Sequence, residues 1–330
     1  MPTKTALTHP RLKPWLRVAT DDEGVVVEFA QRVIRFDGRA ATSLLPALLP
    51  LLDGTRTVED IAHELGEVIR PAIDNALAIL AEHDLLVDGP AFGAGLPDPV
   101  ASTADLLAAT SAPGRPTDKV RRILSDTTVA VVGTGYVADE VIRTLALSGI
   151  GSLARSDGLG DPTLDASLAI AAPSPSELPR LADWNEQALA TGGPWLQVLP
   201  YDGRYAAIGP LFLPGESCCH ECFQRRRAAN LEYRAEFWKL ASVPAAYPSS
   251  PALDAALAGL AATVALRWLV DRDQFLPGAF YALEYASSMD GPVVVSNHFV
   301  HRVPRCAACS SISGLAPPLP WFKELADEHR

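Results

Sequence analysis

The chain is short of basic residues, of cysteine and of unbroken apolar runs, and each shortage closes off a class of function. Lys and Arg number 28 against 39 Asp and Glu, a net charge of −11 at pH 7. That balance argues against a nucleic-acid partner, because non-specific affinity for a phosphate backbone rests on Lys and Arg. The first residues, Met1-Pro-Thr-Lys-Thr5, lack the apolar core of a secretory signal. The longest apolar stretch, Leu253 to Val270, is Ala-rich and interrupted by Asp254 and Arg267. It predicts a buried helix and no membrane span. Five cysteines in a chain without an export signal point to a reducing compartment, and to metal or redox roles in place of a disulfide framework. The expected location is the cytoplasm. No internal repeat is visible.

What is present suits a globular protein: 330 residues, 48% apolar and 20% charged, enough for two domains and a sizeable core. The organising stretch is Thr128-Val-Ala-Val-Val-Gly133-Thr-Gly135, followed by Val137, Val141, Leu145 and Leu147 at helical spacing. A β-branched run, a glycine turn and a helix open a doubly wound nucleotide fold, in which N–H groups at a helix N-terminus can hold an anion. Gly133-x-Gly135-x-x-Ala138, with Asp157 at about the ribose-binding distance, meets a relaxed dinucleotide fingerprint. Glycines also let a helix pack closely on a sheet, so the pattern alone leaves a nucleotide site open.

Ahead of it, Trp15 to Ala19, Val25 to Ala30 and Gln31 to Phe36 read as three strands, the first two joined by turn chemistry at Thr20-Asp-Asp-Glu-Gly24. Three helical patterns follow: Thr42 to Leu52, one capped by Thr57 with Asp60 three positions on, and one starting near Pro71. This is a small winged-helix unit over residues 1–89. Residues 90–118, with five prolines among Gly, Ala and Ser, read as a linker apart from a turn of helix at Ala104 to Ala109. Residues 119–330 form the α/β domain with a mixed, extended sheet. In it, Cys219-x-x-Cys222 and Cys306-x-x-Cys309 can each grip one side of a tetrahedral zinc, making a closed structural site of four thiolates. Residues 223–305 separate the pairs, so the metal would clamp distant segments. A redox Cys-x-x-Cys and incidental thiols are the alternatives. Cys218 is left over and reads as packing.

Two resemblances build on these residues. His9-Pro-Arg-Leu12, Leu51-Leu-Asp-Gly-Thr-Arg-Thr-Val-Glu-Asp-Ile-Ala62 and the run from Ala76 to Gly89 resemble the PqqD-like peptide-recognition domain, which binds leader peptides in ribosomal natural-product (RiPP) pathways. The resemblance implies a leader added as a strand beside the third strand (Arg32, Val33, Ile34, Arg35, Phe36) and packed against the third helix (Ile73, Leu77, Leu80), with Arg32 and Arg35 free to pair with leader carboxylates. DNA binding is disfavoured, since the stretch Pro71 to Asp84 carries Asp74, Glu82 and Asp84 and no Lys or Arg.

The glycine turn, Leu145-Ala-Leu-Ser-Gly-Ile-Gly151 and both cysteine pairs resemble the ThiF/MoeB-type, ubiquitin-activating-like adenylating family over residues 120–312. Gly133, Gly135 and Asp157 match that plan, but Tyr136 and Ala138 replace two of its glycines. Only seven residues lie between Asp157 and Asp165, where the phosphate-binding Arg and Lys belong, and Pro173-Ser-Pro-Ser176 stands where a metal-binding Asp is expected. Adenylyl transfer needs cations to neutralise developing charge. The nucleotide site therefore reads as vestigial, with no nucleotide and no catalytic residue expected.

Together the two halves resemble the ocin-ThiF-like proteins of azole-forming (TOMM) and thiopeptide pathways. That implies a recognition subunit that presents a precursor core to a YcaO-type cyclodehydratase, with a homodimer left open. One alternative is an active ATP-dependent adenylating enzyme acting on a peptide carboxylate. Another is an NAD(P)-dependent oxidoreductase with His220, His298 or His301 as acid–base groups, although a structural or solvated role suits those histidines better.

Overall fold

The computed structural model describes residues 7–29, 32–90, 98–111, 115–160, 166–246, 248–285 and 293–310. The chain divides into two compact units, residues 1–126 with 147–151, and residues 127–146 with 152–330.

In the first unit, β1 (Pro10–Leu12), β2 (Arg17–Thr20), β3 (Gly24–Phe29) and β4 (Arg32–Asp37) precede α1 (Arg39–Ser43), α2 (Leu45–Leu48), α3 (Val58–Leu65), α4 (Arg70–Glu82) and β5 (Leu86–Asp88). β2, β3 and β4 form an antiparallel sheet in that order. Alternation places Val25 and Val27 of β3 in the core, with Ile34 and Phe36 of β4 packed against it. α3 begins with a capping box in which Thr57 and Asp60 satisfy each other's backbone N–H groups. Its Ile61 and Ala62 join Leu48, Ile73 and Leu80 in the core. The β1–β5 pair, with Pro10 opposite Asp88, closes the unit. Strands of three residues carry no legible alternation, so sequence patterning leaves this pair out.

The expected linker is in part structured. α5 (Pro99–Thr110) lies inside 90–118, and α6 (Thr117–Ser125) begins at its end. Asp98 caps α5 by accepting from the Val100 N–H, Pro99 takes the first-turn position, and Ala101, Ala104, Leu107 and Ala108 are buried. Proline content suggested a spacer, whereas here proline starts a helix. A buried ion pair ties this segment to β1: Arg11, 4% exposed, meets Asp105 at 2.8 Å, and Thr117 Oγ1 donates to the same carboxylate at 2.9 Å. Removing one partner of such a pair strands the other charge. Asp105→Ala is therefore expected to cost about 3–5 kcal/mol in urea unfolding, and the double change to Arg11→Met with Asp105→Leu to recover most of it. Equal stability of Asp105→Ala and wild type would show the pair to be idle.

The second unit is built on β6 (Thr128–Val132), α7 (Tyr136–Leu147), β7 (Ser152–Ser156), β8 (Leu168–Ala171), α8 (Leu181–Thr191), β9 (Trp195–Leu199), β10 (Tyr205–Phe212), α9 (His220–Ala229), α10 (Arg234–Ala241), α11 (Pro251–Asp271), β11 (Ala279–Glu284) and β12 (Val294–Phe299). The sheet is mixed, seven strands in the order β12-β11-β10-β9-β8-β6-β7. β7, β6, β8 and β9 are parallel, and β10, β11 and β12 continue antiparallel. The doubly wound expectation thus describes only the parallel part. β10 runs through Gly209-Pro210 by a register shift between Ile208 and Leu211. α11 is apolar and long enough to cross a membrane by composition alone, yet it packs on β9 and β10 with Leu257, Ala258, Ala261, Ala262 and Ala265 buried.

Candidate functional site

Four cysteines converge at one end of the second unit. Cys219 is the N-cap of α9 and Cys222 lies in its first turn. Cys306 and Cys309 come from the turn after β12. The sulphurs lie 3.7 Å apart for Cys219–Cys222, 3.8 Å for Cys219–Cys306 and 3.6 Å for Cys222–Cys309, and all four fall within 4.8 Å of one another. A tetrahedral zinc with Zn–S bonds of about 2.3 Å requires sulphurs about 3.8 Å apart. The set is compatible with that ion. All five cysteines are free thiols, which does not favour the disulfide form of the redox alternative. The Cys222 thiol is held down, to about 4, chiefly by the hydrogen bond from the Cys219 thiol, with the Val303 N–H adding to it against the effect of burial. Arg302 ties the two ligand loops together by donating to Gly215 O at 2.8 Å and Cys309 O at 2.7 Å. Cys218 is buried beside the cluster, and burial pushes its thiol up to about 12.

His220 explains how α9 is aimed. Gln197 Nε2 donates to Gly209 O at 3.1 Å, so Gln197 Oε1 accepts from His220 Nδ1 at 2.6 Å, and His220 Nε2 accepts from Gln224 Nε2 at 3.1 Å. The His220 backbone N–H donates to Asn185 Oδ1 at 2.9 Å. Burial, with the Arg227 charge adding to it, pushes the imidazole down to about 3, so it stays neutral. The residue works as a clasp from α9 to β9 and α8. His298 stands exposed on β12, 3.0 Å from Ser296 Oγ, and His301 stacks edge-on with Phe299. An open cleft of about 1120 Å³ lies over this part of the sheet, lined in part by Phe223, Arg226, Phe280 and His298. Sequence reading had no signal for it, since its walls come from separated segments.

The glycine turn is closed by its own chain. Gly133 has φ of +124°, and a Cβ there would sit 2.1 Å from Ala172 O, so only glycine allows β6 to turn so close to β8. The Thr134 N–H and hydroxyl donate to Glu177 Oε2 at 2.9 and 2.8 Å, and the Ser174 N–H and hydroxyl do so at 2.9 Å each. Burial works to raise the Glu177 pKa, but the hydrogen bonds from Ser174 and Thr134 overcome it and hold the carboxyl below the ordinary range. Arg155 crosses the turn, donating to Gly133 O and Ser156 O at 2.5 Å, and faces Asp139 and Asp157. Gly133, Gly135 and Asp157 therefore surround one turn. Glu177 and Arg155 were missed, although Ser174-x-x-Glu177 is a capping-box pattern.

In the first unit, β4 pairs with β3 alone and its other edge is unpaired among the described residues. Val33 stands 70% exposed on that strand. Four of the expected contact residues have partners within the unit. Ile73, Leu77 and Leu80 are buried in the core, because a unit this small spends the apolar face of α4 on itself. Arg35 is held by Asp21, Glu23 and Asp37 at 3.0, 2.9 and 2.7 Å, which leaves it no free charge for a peptide carboxylate. Arg32 remains exposed. A groove of about 490 Å³, lined by residues including Arg39, Leu44, Leu65, Ile69 and Ala72, offers apolar surface that the sequence did not single out.

No protein-family model and no curated protein matches the chain. Solved structures do. Its fold is similar to part of the heterocyclase TruD. The TM-score is 0.68 at 26% identity, over 92% of this chain and 43% of TruD. A heterocyclase solved with substrate and cofactor matches with TM-score 0.68 at 23% identity, over 92% of this chain and 40% of that one. The chain thus spans less than half the length of either heterocyclase. MccB, the microcin C7 biosynthetic enzyme of E. coli, solved with N-formylated MccA, matches with TM-score 0.66 at 14% identity, over 91% of this chain and 99% of MccB. At that identity the likeness is one of fold alone.

Proposed function

We propose that this protein belongs to RiPP biosynthesis as the subunit that binds the leader of a precursor peptide and presents the core to a YcaO-type cyclodehydratase, which closes Cys, Ser or Thr to azolines. The carrying observation is that a chain similar in fold to part of heterocyclase TruD has the donors of its glycine turn taken by its own Glu177. Recognition without nucleotide chemistry is what that arrangement supports. The first unit serves as the PqqD-like winged helix, with leader pairing along Arg32 to Phe36 of β4. The second serves as a degenerate adenylating fold stabilised by structural zinc on Cys219, Cys222, Cys306 and Cys309. Its nucleotide residues Gly133, Gly135 and Asp157 are vestigial. Both units work in the cytoplasm.

The test is reconstitution with ATP, a candidate precursor peptide and a YcaO-type cyclodehydratase from the same genome, read by mass spectrometry. Loss of one water per ring is expected only when this protein is present, and the same rate without it would overturn the reading. Peptide-dependent pyrophosphate exchange by this protein alone would instead establish an adenylating enzyme.

A further inference from the structure

We propose that Glu177 decides what the glycine turn accepts: the turn is a built oxyanion site, and the chain's own carboxylate occupies the place of a phosphate. Four donors, two backbone N–H groups and two hydroxyls, converge on Oε2 between 2.8 and 2.9 Å. Two N–H groups from separate turns aimed at one point, beside the start of α7, are how a polypeptide holds a phosphate oxygen. Glu177 as a residue is 8% exposed, so the interaction is not a surface accident. Oε1 reaches toward Gly158, where φ is +89° and an added Cβ would come within 3.1 Å of it, so the opposite wall is also shaped around this carboxylate. Thr134 comes from the turn after β6, and Ser174 and Glu177 from the segment after β8. The carboxylate therefore also ties together the ends of two adjacent parallel strands, at the edge of the sheet where such folds take their ligands.

An arriving phosphate meets two obstacles: its donors are occupied, and a negative charge stands where its own must go. Removing the Glu177 side chain removes both and leaves a cavity lined by four donors. This inference shares with the leader-binding reading the observation that Glu177 occupies the turn, but its test uses inorganic phosphate alone, so its failure and the failure of the heterocyclisation test are distinguishable.

The experiment compares wild type, Glu177→Ala and Glu177→Gln in the full-length protein. Melting is followed with inorganic phosphate against sodium chloride of equal ionic strength, and binding is measured by calorimetry. Wild type is expected to melt alike in both salts and to give no binding heat. Glu177→Ala should melt lower in chloride and recover several degrees in phosphate, with one phosphate bound per chain. Because that variant leaves four donors bare and is the more liable to misfold, Glu177→Gln is read in parallel. Its amide keeps the shape without repelling an anion, so phosphate should bind it measurably, if weakly. Phosphate that stabilises neither variant beyond chloride, or that stabilises wild type as much as the variants, would overturn the assignment.

Discussion

Replacing Cys219 or Cys306 with serine is expected to release one equivalent of zinc and to unfold or aggregate the second unit, the largest effect expected for any single substitution here. The thiolates come from the start of α9 and from the turn after β12, with residues 223–305 between the pairs. Metal bound across such a span contributes its binding free energy to folding, about 10–16 kcal/mol apparent in small zinc peptides. A larger domain recovers only part of that through its other contacts. Three of the four cysteines are buried, so without metal their thiols crowd together in an apolar core, with hydrogen bonds from the Cys219 thiol and the Val303 N–H reaching Cys222. Cys218→Ser is the internal control. It lies beside the cluster and outside the four-sulphur set, so zinc content should stay at one equivalent. Elemental analysis with thermal melting decides the matter: protein purified free of metal that melts unchanged would remove zinc from the account.

The second large effect is on leader affinity. Along a strand, successive N–H groups point to opposite sides, so of the neighbours Arg32 and Val33 one N–H faces β3 and the other the unpaired edge. Both side chains are exposed, so neither substitution opens the core. Of Arg32→Pro and Val33→Pro, the one that removes an edge donor should keep wild-type circular dichroism and melting. It should bind a fluorescent leader at least tenfold more weakly, about 1.4 kcal/mol or more. The other should weaken the β3–β4 ladder itself. Since Arg35 is already neutralised by Asp21, Glu23 and Asp37, affinity should come from strand pairing and apolar contact. Moving from about 50 to 500 mM salt should then change it only a few-fold. A proline variant that melts like wild type and binds like wild type at both positions would place recognition elsewhere.

Local rules account for much of what was legible. The capping box at Thr57 and Asp60, the alternation through β3 and β4, the run from Thr128 to Val132 ahead of Gly133, and the two Cys-x-x-Cys pairs depend on neighbours a few residues apart. Each could be read before any contact was known. At α4, helical spacing marked Ile73, Leu77 and Leu80 as an apolar face, and the fold supplied the core that this face packs into.

By itself the sequence determined the strand, turn and helix at β6, the glycine that this turn requires and the two cysteine pairs that could hold a metal. Only the tertiary structure decided that those sulphurs meet, that Arg11 buries its charge on Asp105, that Arg35 is spent on three acids, and that Glu177 fills the turn it was never matched to. The physical reason is the same in each case. A side chain's charge and shape are fixed by its type, while its availability depends on partners that the fold brings from tens of residues away.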